Sequence, residues 1–194
     1  IVVRGLKYLR ESVGLAALLK AAGVREDAAL NADTLSYVLA PRMNAAGRMG
    51  DASKAAELLL TDDAKAAEQL ALALDTANTE RRDAEASILM EALSMIQEGA
   101  LSDAPAMVLY GKDWNAGVIG IVSARVSERF DRPAILFTDG EEGVLSGSGR
   151  SGGSVDLFDT LGDCTAYMTR YGGHAAAAGV SSTRTPSASA LAQL

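Results

Sequence analysis

Apolar residues recur at helical spacing through the first part of the chain. In residues 3–22 they return every three or four positions, which predicts an amphipathic helix that Gly23 ends. A second short helix is predicted over about 31–39, with Asn31 or Asp33 as its N-terminal cap. Pro41 is predicted to end it. The stretch that follows, APRMNAAGRMGD, is predicted to be an irregular loop.

The longest uninterrupted helical pattern covers residues 62–97. This segment contains no glycine or proline and is rich in Ala, Leu, Glu and Arg, which predicts one helix of roughly 50 Å at about 1.5 Å per residue. Thr61 before two aspartates is typical of a helix N-terminus, and a short helix over 52–60 precedes it. Because a helix of this length seldom lies within one small core, we expect it to bridge two lobes, with a boundary near 99–105.

The pattern changes after Pro105, where short apolar runs replace the helical period. Continuous apolar runs that end in glycine or polar residues are typical of buried strands. They occur at AMVLYG (106–111), RPAILFTD (132–139) and VLSGSGRS (144–151). Helices are predicted over 117–130 and about 156–169, followed by a Gly-Gly-His turn, a helix of small residues and a strand at about 179–183.

Strand, helix, strand, strand and helix in this order indicate an α/β domain with a mixed sheet. The predicted fold class is therefore α/β. It consists of a helical N-terminal segment and a long connector helix followed by a small α/β domain with a mixed sheet.

The net charge and the cysteine content limit which functions and which cellular location are expected for this chain. A net charge of −7 argues against a general nucleic-acid binder but is compatible with one local basic cleft. Cys164 is the single cysteine, so an internal disulfide and a cysteine metal cluster are excluded and a cytoplasmic location is expected. No apolar run approaches the roughly 20 residues that span a bilayer and no signal peptide is recognised, so no membrane partner is expected.

The first candidate site is the segment PRMNAAGRMGD. Arg42, Asn44 and Arg48 surround an Ala-Ala-Gly core that would leave the backbone uncovered. Guanidinium groups bind phosphate through paired hydrogen bonds, and exposed backbone amides add donors. Alternatively, these arginines pair with Asp51 or Glu57 and only hold the loop together.

The second candidate site is SGSGRSGG, residues 146–153, where four glycines and three serines surround Arg150. Glycines let backbone amides converge on an anion, while Ser148 and Ser151 offer hydroxyl donors. The segment matches neither a Walker loop nor a dinucleotide fingerprint. An anion site is favoured over a glycine-rich turn without a ligand, because an arginine lies at its centre.

The third candidate site is YGGHAAAAG, which contains the only histidine of the sequence, His174. An imidazole can bind a metal, transfer a proton or donate to a phosphate, and it can also cap a helix. Residues 164–194 contain no Asp or Glu. This absence argues against a locally held metal and favours an anion contact.

The segment DWNAGVIGIVSARV contributes two further residues. Asn115 can cap the helix that begins near Gly117, and the free amides of such a helix start can bind an anion. Trp114 could stack on a base, although a core position is favoured for it.

Taken in order, APRMNAAGRMGDASKAAELLLTDD, DWNAGVIGIVSARVSERFDRPAILF, SGSGRS and YGGHAAAAG resemble the RecJ family of bacterial single-stranded-DNA-specific exonucleases, which are DHH phosphoesterases. The resemblance covers about 6–180. It implies that 1–61 end a DHH catalytic lobe, 62–104 form a connector helix and linker, and 105–194 form a DHH-associated substrate-binding lobe. It also implies that the Asp-His-His motif and the metal ligands would precede Ile1, and that a further nucleic-acid-binding domain would follow Leu194.

The resemblance further implies degradation of single-stranded DNA from 5′ to 3′ with Mn²⁺ or Mg²⁺, in DNA repair and recombination. Single-strand-binding protein and a RecQ-type helicase are the implied protein partners. His174 is the implied catalytic residue, and no metal ligand is expected in this chain. The implied DNA or phosphate contacts are Arg42, Asn44, Arg48, Asn115, Ser148, Arg150, Ser151, Gly172 and Gly173.

Members of the family commonly carry histidine at the position of Asn115. Two alternatives stay open. One is a related DHH phosphoesterase that acts on short oligoribonucleotides or cyclic dinucleotides. The other is a non-catalytic nucleic-acid-binding module.

Overall fold

The computed structural model describes residues 2–153 and 155–183 and divides the chain into two compact units, residues 1–83 and 84–194. One helix, Ala64–Glu98, contributes residues to both units. It is numbered α5 in chain order.

The first unit is helical. Its elements are α1 (Val2–Gly5), a 3₁₀ turn (Leu6–Tyr8), α2 (Val13–Ala21), a π-helical segment (Thr34–Leu39), α3 (Ala40–Met49), α4 (Ser53–Leu60) and the first part of α5. Its core joins leucines and alanines from α2, the π-helical segment, α3, α4 and α5, among them Leu18, Leu39, Ala46, Leu58 and Leu74.

The single helix predicted over residues 3–22 is wrong, because the structure breaks it around residues 9–12. Ser12 has an extended backbone and its Oγ accepts a hydrogen bond from the amide of Leu15 at 3.4 Å, so it caps a new helix. Serine competes for backbone donors in this way and starts helices more readily than it continues them. Gly23 ends α2 with a left-handed φ of 73°, as predicted.

The predicted loop around Asn44 is also wrong, because residues 40–49 form helix α3. Pro41 lies in the first turn of α3, directly after the π-helical segment, so it does not end the helical run as the sequence predicted. Ala45 and Ala46 are buried, and alanine is the best helix former, so burial and propensity both favour the helix.

The long helix α5 confirms the prediction of one uninterrupted helix. Its N-terminus is capped by Asp63 and not by Thr61, since the Asp63 carboxylate accepts from the amides of Lys65 at 2.8 Å and Ala66 at 3.3 Å. The buried residues of α5 recur every three or four positions or at multiples of that spacing. They are Ala67, Ala71, Leu74, Asn78, Glu85, Ile88, Ala92 and Ile96.

The second unit contains a five-stranded mixed sheet, which confirms the predicted fold class. Its strands are β1 (Met107–Tyr110), β2 (Ala134–Asp139), β3 (Leu145–Arg150), β4 (Arg170–His174) and β5 (Ala177–Ser182) in the order β1-β2-β3-β5-β4. β1 and β2 are parallel, and the other neighbours are antiparallel. Helix α6 (Ile119–Phe130) joins β1 to β2, and Ser123 Oγ donates to the carbonyl of Ala134 at 2.7 Å.

The helix predicted over 156–169 is shorter in the structure, where α7 (Leu157–Asp163) is followed by a 3₁₀ turn at Thr165–Tyr167. One hydrophobic core cluster of this unit lies on the face of the sheet that packs against α7. It contains Ile135, Phe137, Leu145, Leu157 and Val180.

The predicted Gly-Gly-His turn and the helix of small residues after it are wrong. Residues 170–182 form a hairpin in which β4 and β5 are joined by Ala175 and Ala176, and the register runs from Arg170 opposite Ser181 to His174 opposite Ala177. Alanine favours helices in isolation, but pairing with β3 and burial of Ala178 and Val180 override that preference.

Candidate functional site

Three aligned rows of small and basic residues cross strands β3, β5 and β4 on one side of the sheet. Residues directly opposite each other in antiparallel strands point to the same face, and so do residues two apart along a strand. We call this surface the polar sheet face. Its rows are Arg150–Ala177–His174, Ser148–Gly179–Gly172 and Ser146–Ser181–Arg170.

The polar sheet face carries two arginines and the histidine but no carboxylate among its nine residues. Asp139 ends β2 opposite Leu145, and its side chain therefore lies on the core side of the sheet. Its carboxylate accepts a hydrogen bond from the Tyr110 hydroxyl at 2.6 Å. This hydrogen bond raises the pKa of Tyr110 above its ordinary value. A local basic surface therefore exists within a chain of net charge −7.

The glycines of β3 serve the core and not an anion. A Cβ added at Gly147 would lie 2.5 Å from the Phe137 ring, and one at Gly149 would lie 2.9 Å from Leu157. Because β3 pairs with β2 on one side and β5 on the other, the backbone of these glycines is used in the sheet and does not form the predicted convergence of amides. They alternate with Ser146, Ser148 and Arg150, and so the side chains of the polar sheet face point one way while the core packs closely on the other.

Arg150 is held in place by its own strand. Its Nη1 donates to Ser148 Oγ at 3.1 Å and to the carbonyl of Gly149 at 2.7 Å. Gly120 of α6 packs against both side chains, because a Cβ there would lie 2.8 Å from Ser148 Oγ and 3.2 Å from Arg150 Nη2. Sequence reasoning missed Gly120, although a glycine inside an otherwise helical segment is a signal of close packing.

His174 ends β4 with an exposed side chain, so the interpretation of it as a helix cap is wrong. The two glycines before it have different constraints. A Cβ at Gly173 would overlap the carbonyl oxygen of Ala177, whereas a Cβ at Gly172 would meet no atom within 4 Å. Gly173 is thus required by the hairpin, and Gly172 leaves open space on the polar sheet face.

Ser151 fastens the hairpin to the end of β3. Its Oγ donates to the carbonyl of Ala175 at 3.1 Å and accepts from the amide of Gly153 at 3.2 Å, while its own amide donates to the carbonyl of Ala176 at 3.2 Å. Ser151 is fully buried. Its hydroxyl thus fixes the turn that follows His174.

Asn115 caps the turn at residues 116–118 that leads into α6, whereas α6 itself begins after Val118 without a side-chain cap. Its Oδ1 accepts from the amide of Gly117 at 2.8 Å, and its carbonyl accepts from the amides of Val118 at 2.9 Å and Ile119 at 3.1 Å. These amides therefore have intramolecular partners, and the predicted anion site of free amides at this helix start is not formed.

Trp114 is a core residue, as the sequence favoured. It is 6% exposed and its ring packs on Gly111, where a Cβ would overlap the indole. Its Nε1 donates to the Glu91 carboxylate at 2.8 Å. The same side of α5 is joined to α6 by an ion pair of Glu85 with Arg125 at 2.7 Å. The last turns of α5 are thereby attached to the sheet unit.

The three residues predicted to bind phosphate in the first unit, Arg42, Asn44 and Arg48, all lie on α3 but have different surroundings. Arg42 is 12% exposed at its side chain, and its Nε pairs with Asp75 at 2.7 Å while its Nη1 donates to the carbonyl of Val38 at 2.8 Å. Asn44 and Arg48 are exposed and lie four residues apart on one side of the helix. Arg42 therefore joins α3 to α5, and its partner is neither Asp51 nor Glu57.

Residues 2–153 and 155–183 contain no group of three or more His, Cys, Asp or Glu side chains that could hold a metal ion. A catalytic centre with two divalent ions needs several such ligands. The described residues alone therefore do not supply such a centre. In the same residues, no helix has the length and apolar content for a membrane crossing.

Comparison with known proteins gives a consistent result. The DHHA1 domain family matches residues 103–194. Curated relatives named single-stranded-DNA-specific exonuclease RecJ include that of Bacillus subtilis, 38% identical over 91% of this chain and 22% of the relative, and that of Escherichia coli, 40% identical over 87% of this chain and 30% of the relative. The chain thus spans between about a fifth and a third of the length of the curated relatives it matches.

Solved structures agree with this result. RecJ from Thermus thermophilus in complex with Mn²⁺ superposes with a TM-score of 0.80 at 35% identity, over 93% of this chain and 26% of that one. Exonuclease RecJ bound to manganese gives 0.80 at 34% identity, over 92% and 43%. Over almost its whole length the chain is similar in sequence and fold to one part of the RecJ proteins, and its residues 103–194 match the DHHA1 domain family.

Proposed function

We propose that this chain binds the phosphate backbone of single-stranded DNA as part of a RecJ-type exonuclease. The observation that carries the proposal is the middle of the polar sheet face. There Arg150 lies across Ala177 from His174, and in the next row Ser148 lies across Gly179 from Gly172, with no carboxylate among the aligned residues. A phosphate diester presents acceptor oxygens and a negative charge, which guanidinium, hydroxyl and imidazole groups bind.

Each residue has a separate part in this binding. Arg150 is held by Ser148 and Gly149 before any ligand arrives, so it loses little side-chain freedom when a phosphate binds. His174 donates from a ring nitrogen to a phosphate oxygen at the terminal or scissile position. Gly172 allows the sugar-phosphate backbone to approach β4, and Gly173 contributes indirectly by permitting the close hairpin that places Gly172 and His174. These residues position charge and do not abstract protons.

The other proposed residues act less directly. Ser151 fixes the turn after His174, and Asn115 holds the turn before α6, the helix whose Gly120 packs against Arg150. In the first unit, Asn44 and Arg48 are proposed to contact the strand from their exposed positions. Arg42 contributes by holding α3 to α5.

The activity proposed for the whole protein is hydrolysis of single-stranded DNA from the 5′ end with Mn²⁺ or Mg²⁺. The related RecJ of Thermus thermophilus has been solved in complex with Mg²⁺ and in complex with Mn²⁺. A cytoplasmic role in DNA repair and recombination, with single-strand-binding protein and a RecQ-type helicase as partners, completes the proposal.

Fluorescence anisotropy tests the binding function. A 5′-phosphorylated single-stranded oligonucleotide with a 3′ fluorophore is titrated with the 194-residue chain over a range of salt concentrations. We expect saturable binding that weakens with salt, and a shallower salt dependence for Arg150→Gln. Equal affinity and equal salt slope for the two proteins would contradict the proposal.

Unlabelled competitor nucleic acids distinguish binding of single-stranded DNA from binding of the alternative substrates in the same assay. Unlabelled single-stranded DNA should displace the probe more effectively than duplex DNA, short oligoribonucleotides or a cyclic dinucleotide. Stronger displacement by a short oligoribonucleotide or a cyclic dinucleotide would assign the site to a different DHH phosphoesterase substrate.

A further inference from the structure

The third row of the polar sheet face forms its own pocket. The pocket has a volume of about 340 Å³, and its polar lining comes from Ser146, Arg170 and Ser181 around the glycines at 172 and 179. Arg150 and His174 do not line it. The pocket is therefore a separate concavity next to the site already described.

Arg170 is placed as an anion-binding group. It is exposed on the edge strand β4 and lies opposite Ser181, which in turn lies opposite Ser146 on β3. Within the described part of the chain, the Arg170 guanidinium makes no ion pair or hydrogen bond, and the hydroxyls of Ser146 and Ser181 make no hydrogen bond either. The face supplies one cation and two hydroxyls that protein groups do not use.

The floor of the pocket leaves room for a ligand. A Cβ at Gly172 would meet no atom within 4 Å, and one at Gly179 would meet only the carbonyl oxygen of Gly172, at 3.9 Å. Neither glycine is therefore required by packing on this side. Their missing side chains keep a path open between the Arg170 row and the Arg150 row.

We propose that Arg170, Ser146 and Ser181 bind a second phosphate diester, adjacent along the same strand to the one held by Arg150 and Ser148. The inference rests on the proposed function. Ser146 and Ser148 are two residues apart on one strand, or roughly 7 Å. This distance is comparable with that between successive phosphates of an extended single strand, so neighbouring diesters would meet neighbouring rows.

Neutral-linkage scanning tests the subsite. A 5′-phosphorylated hexathymidylate with a 3′ fluorophore is prepared in versions that each replace one diester by a methylphosphonate, and binding to the 194-residue chain is measured by anisotropy. Wild type should lose affinity for replacements at two adjacent positions. Arg170→Gln should bind the unmodified strand roughly 5- to 20-fold more weakly, with a salt slope lower by about 0.7.

The variants assign each row to its linkage. Arg170→Gln should no longer respond to one of the two neutral linkages, and Arg150→Gln should no longer respond to the other. Arg132→Gln is the matched control, because Arg132 is exposed in the same unit and, within the described residues, its guanidinium donates only to the carbonyl of Asp131. Equal unfolding midpoints of all three variants establish that a loss of affinity is not a loss of fold.

Two outcomes overturn the subsite alone. In one, Arg150→Gln weakens binding but Arg170→Gln behaves like Arg132→Gln. In the other, both variants become insensitive to the same linkage, which would mean one phosphate shared by both arginines. If neither Arg150→Gln nor Arg170→Gln weakens binding, the proposed function fails and the subsite fails with it.

Discussion

Two adjacent glycines of the β4–β5 hairpin are under different constraints. Gly173 packs so closely on Ala177 and Ala178 that a methyl group would overlap their backbone, and its φ of 155° lies at the edge of the range that side chains rarely adopt. Gly172 has no such neighbour. One glycine is thus required for folding, and the other is available to a ligand.

This difference predicts opposite effects of the same substitution. Gly173→Ala should lower the free energy of unfolding by about 1–3 kcal/mol, because a backbone shift is needed to relieve the overlap. Gly172→Ala should leave that free energy within about 0.5 kcal/mol, yet weaken binding of single-stranded DNA because its methyl group enters the polar sheet face. Urea unfolding and anisotropy measure the two effects. Equal stability of the two variants would contradict the structural distinction.

Arg42 was expected from the family resemblance to contact DNA, but its ion pair with Asp75 predicts that its substitution lowers stability. Arg42→Ala leaves a partly buried carboxylate without its partner and should lower the free energy of unfolding by about 1–3 kcal/mol. Arg48→Ala, on the exposed side of α3, should reduce DNA affinity without a comparable change in unfolding. Urea titrations of both variants check this assignment. It is contradicted if Arg42→Ala keeps wild-type stability and loses DNA affinity.

Cys164 allows a chemical test of burial. Desolvation by burial, with a smaller contribution from Asp163, raises the pKa of its thiol above the ordinary value. Because the thiolate is the reactive form, a raised pKa lowers its fraction at neutral pH. The native chain should therefore react slowly with iodoacetamide near neutral pH, and the urea-unfolded chain much faster, as followed by mass spectrometry. Equal rates would contradict the burial of this side chain.

At the scale of elements, the predictable features were those with strong local signals. The uninterrupted composition of residues 62–97 and the continuous apolar runs of β1 and β2 predicted α5 and those strands, and the structure confirms them. The wrong assignments at α3 and the β4–β5 hairpin lie in segments rich in alanine and glycine. Such segments have little intrinsic pattern, so burial of Ala45 and pairing of Ala178 decide their conformation.

Part of the candidate site was also predictable from the sequence. Ser148, Arg150, Gly172 and His174 could be identified from residue type, because a basic or hydroxyl group beside glycine is itself a signal. Arg170 was not identified as part of the site, since its position beside Ser146 depends on the register of three strands. A shift of one residue would turn its side chain to the other face.

Helix α6 supports the site through Gly120, and this predicts an unusual substitution effect. Alanine is favoured over glycine inside a helix by about 1 kcal/mol, so Gly120→Ala should not destabilise α6 by propensity. Its methyl group would instead displace Ser148 and Arg150, which lie within about 3 Å of it. We expect a several-fold loss of DNA affinity at nearly unchanged thermal stability. Wild-type affinity would show that Arg150 does not need this support.

At the scale of the whole molecule, we expect DNA binding to be separable from hydrolysis. The described residues carry a basic sheet face but no set of three or more side chains suited to a metal ion. The 194-residue chain should therefore bind 5′-labelled single-stranded DNA and fail to shorten it during incubation with Mn²⁺, as read on a denaturing gel. The Arg150→Gln variant, purified in parallel, is the control for contaminating nuclease, because a contaminant would act equally in both preparations. Shortening by the wild-type chain that disappears with EDTA and with Arg150→Gln would contradict the separation and require metal ligands within this chain.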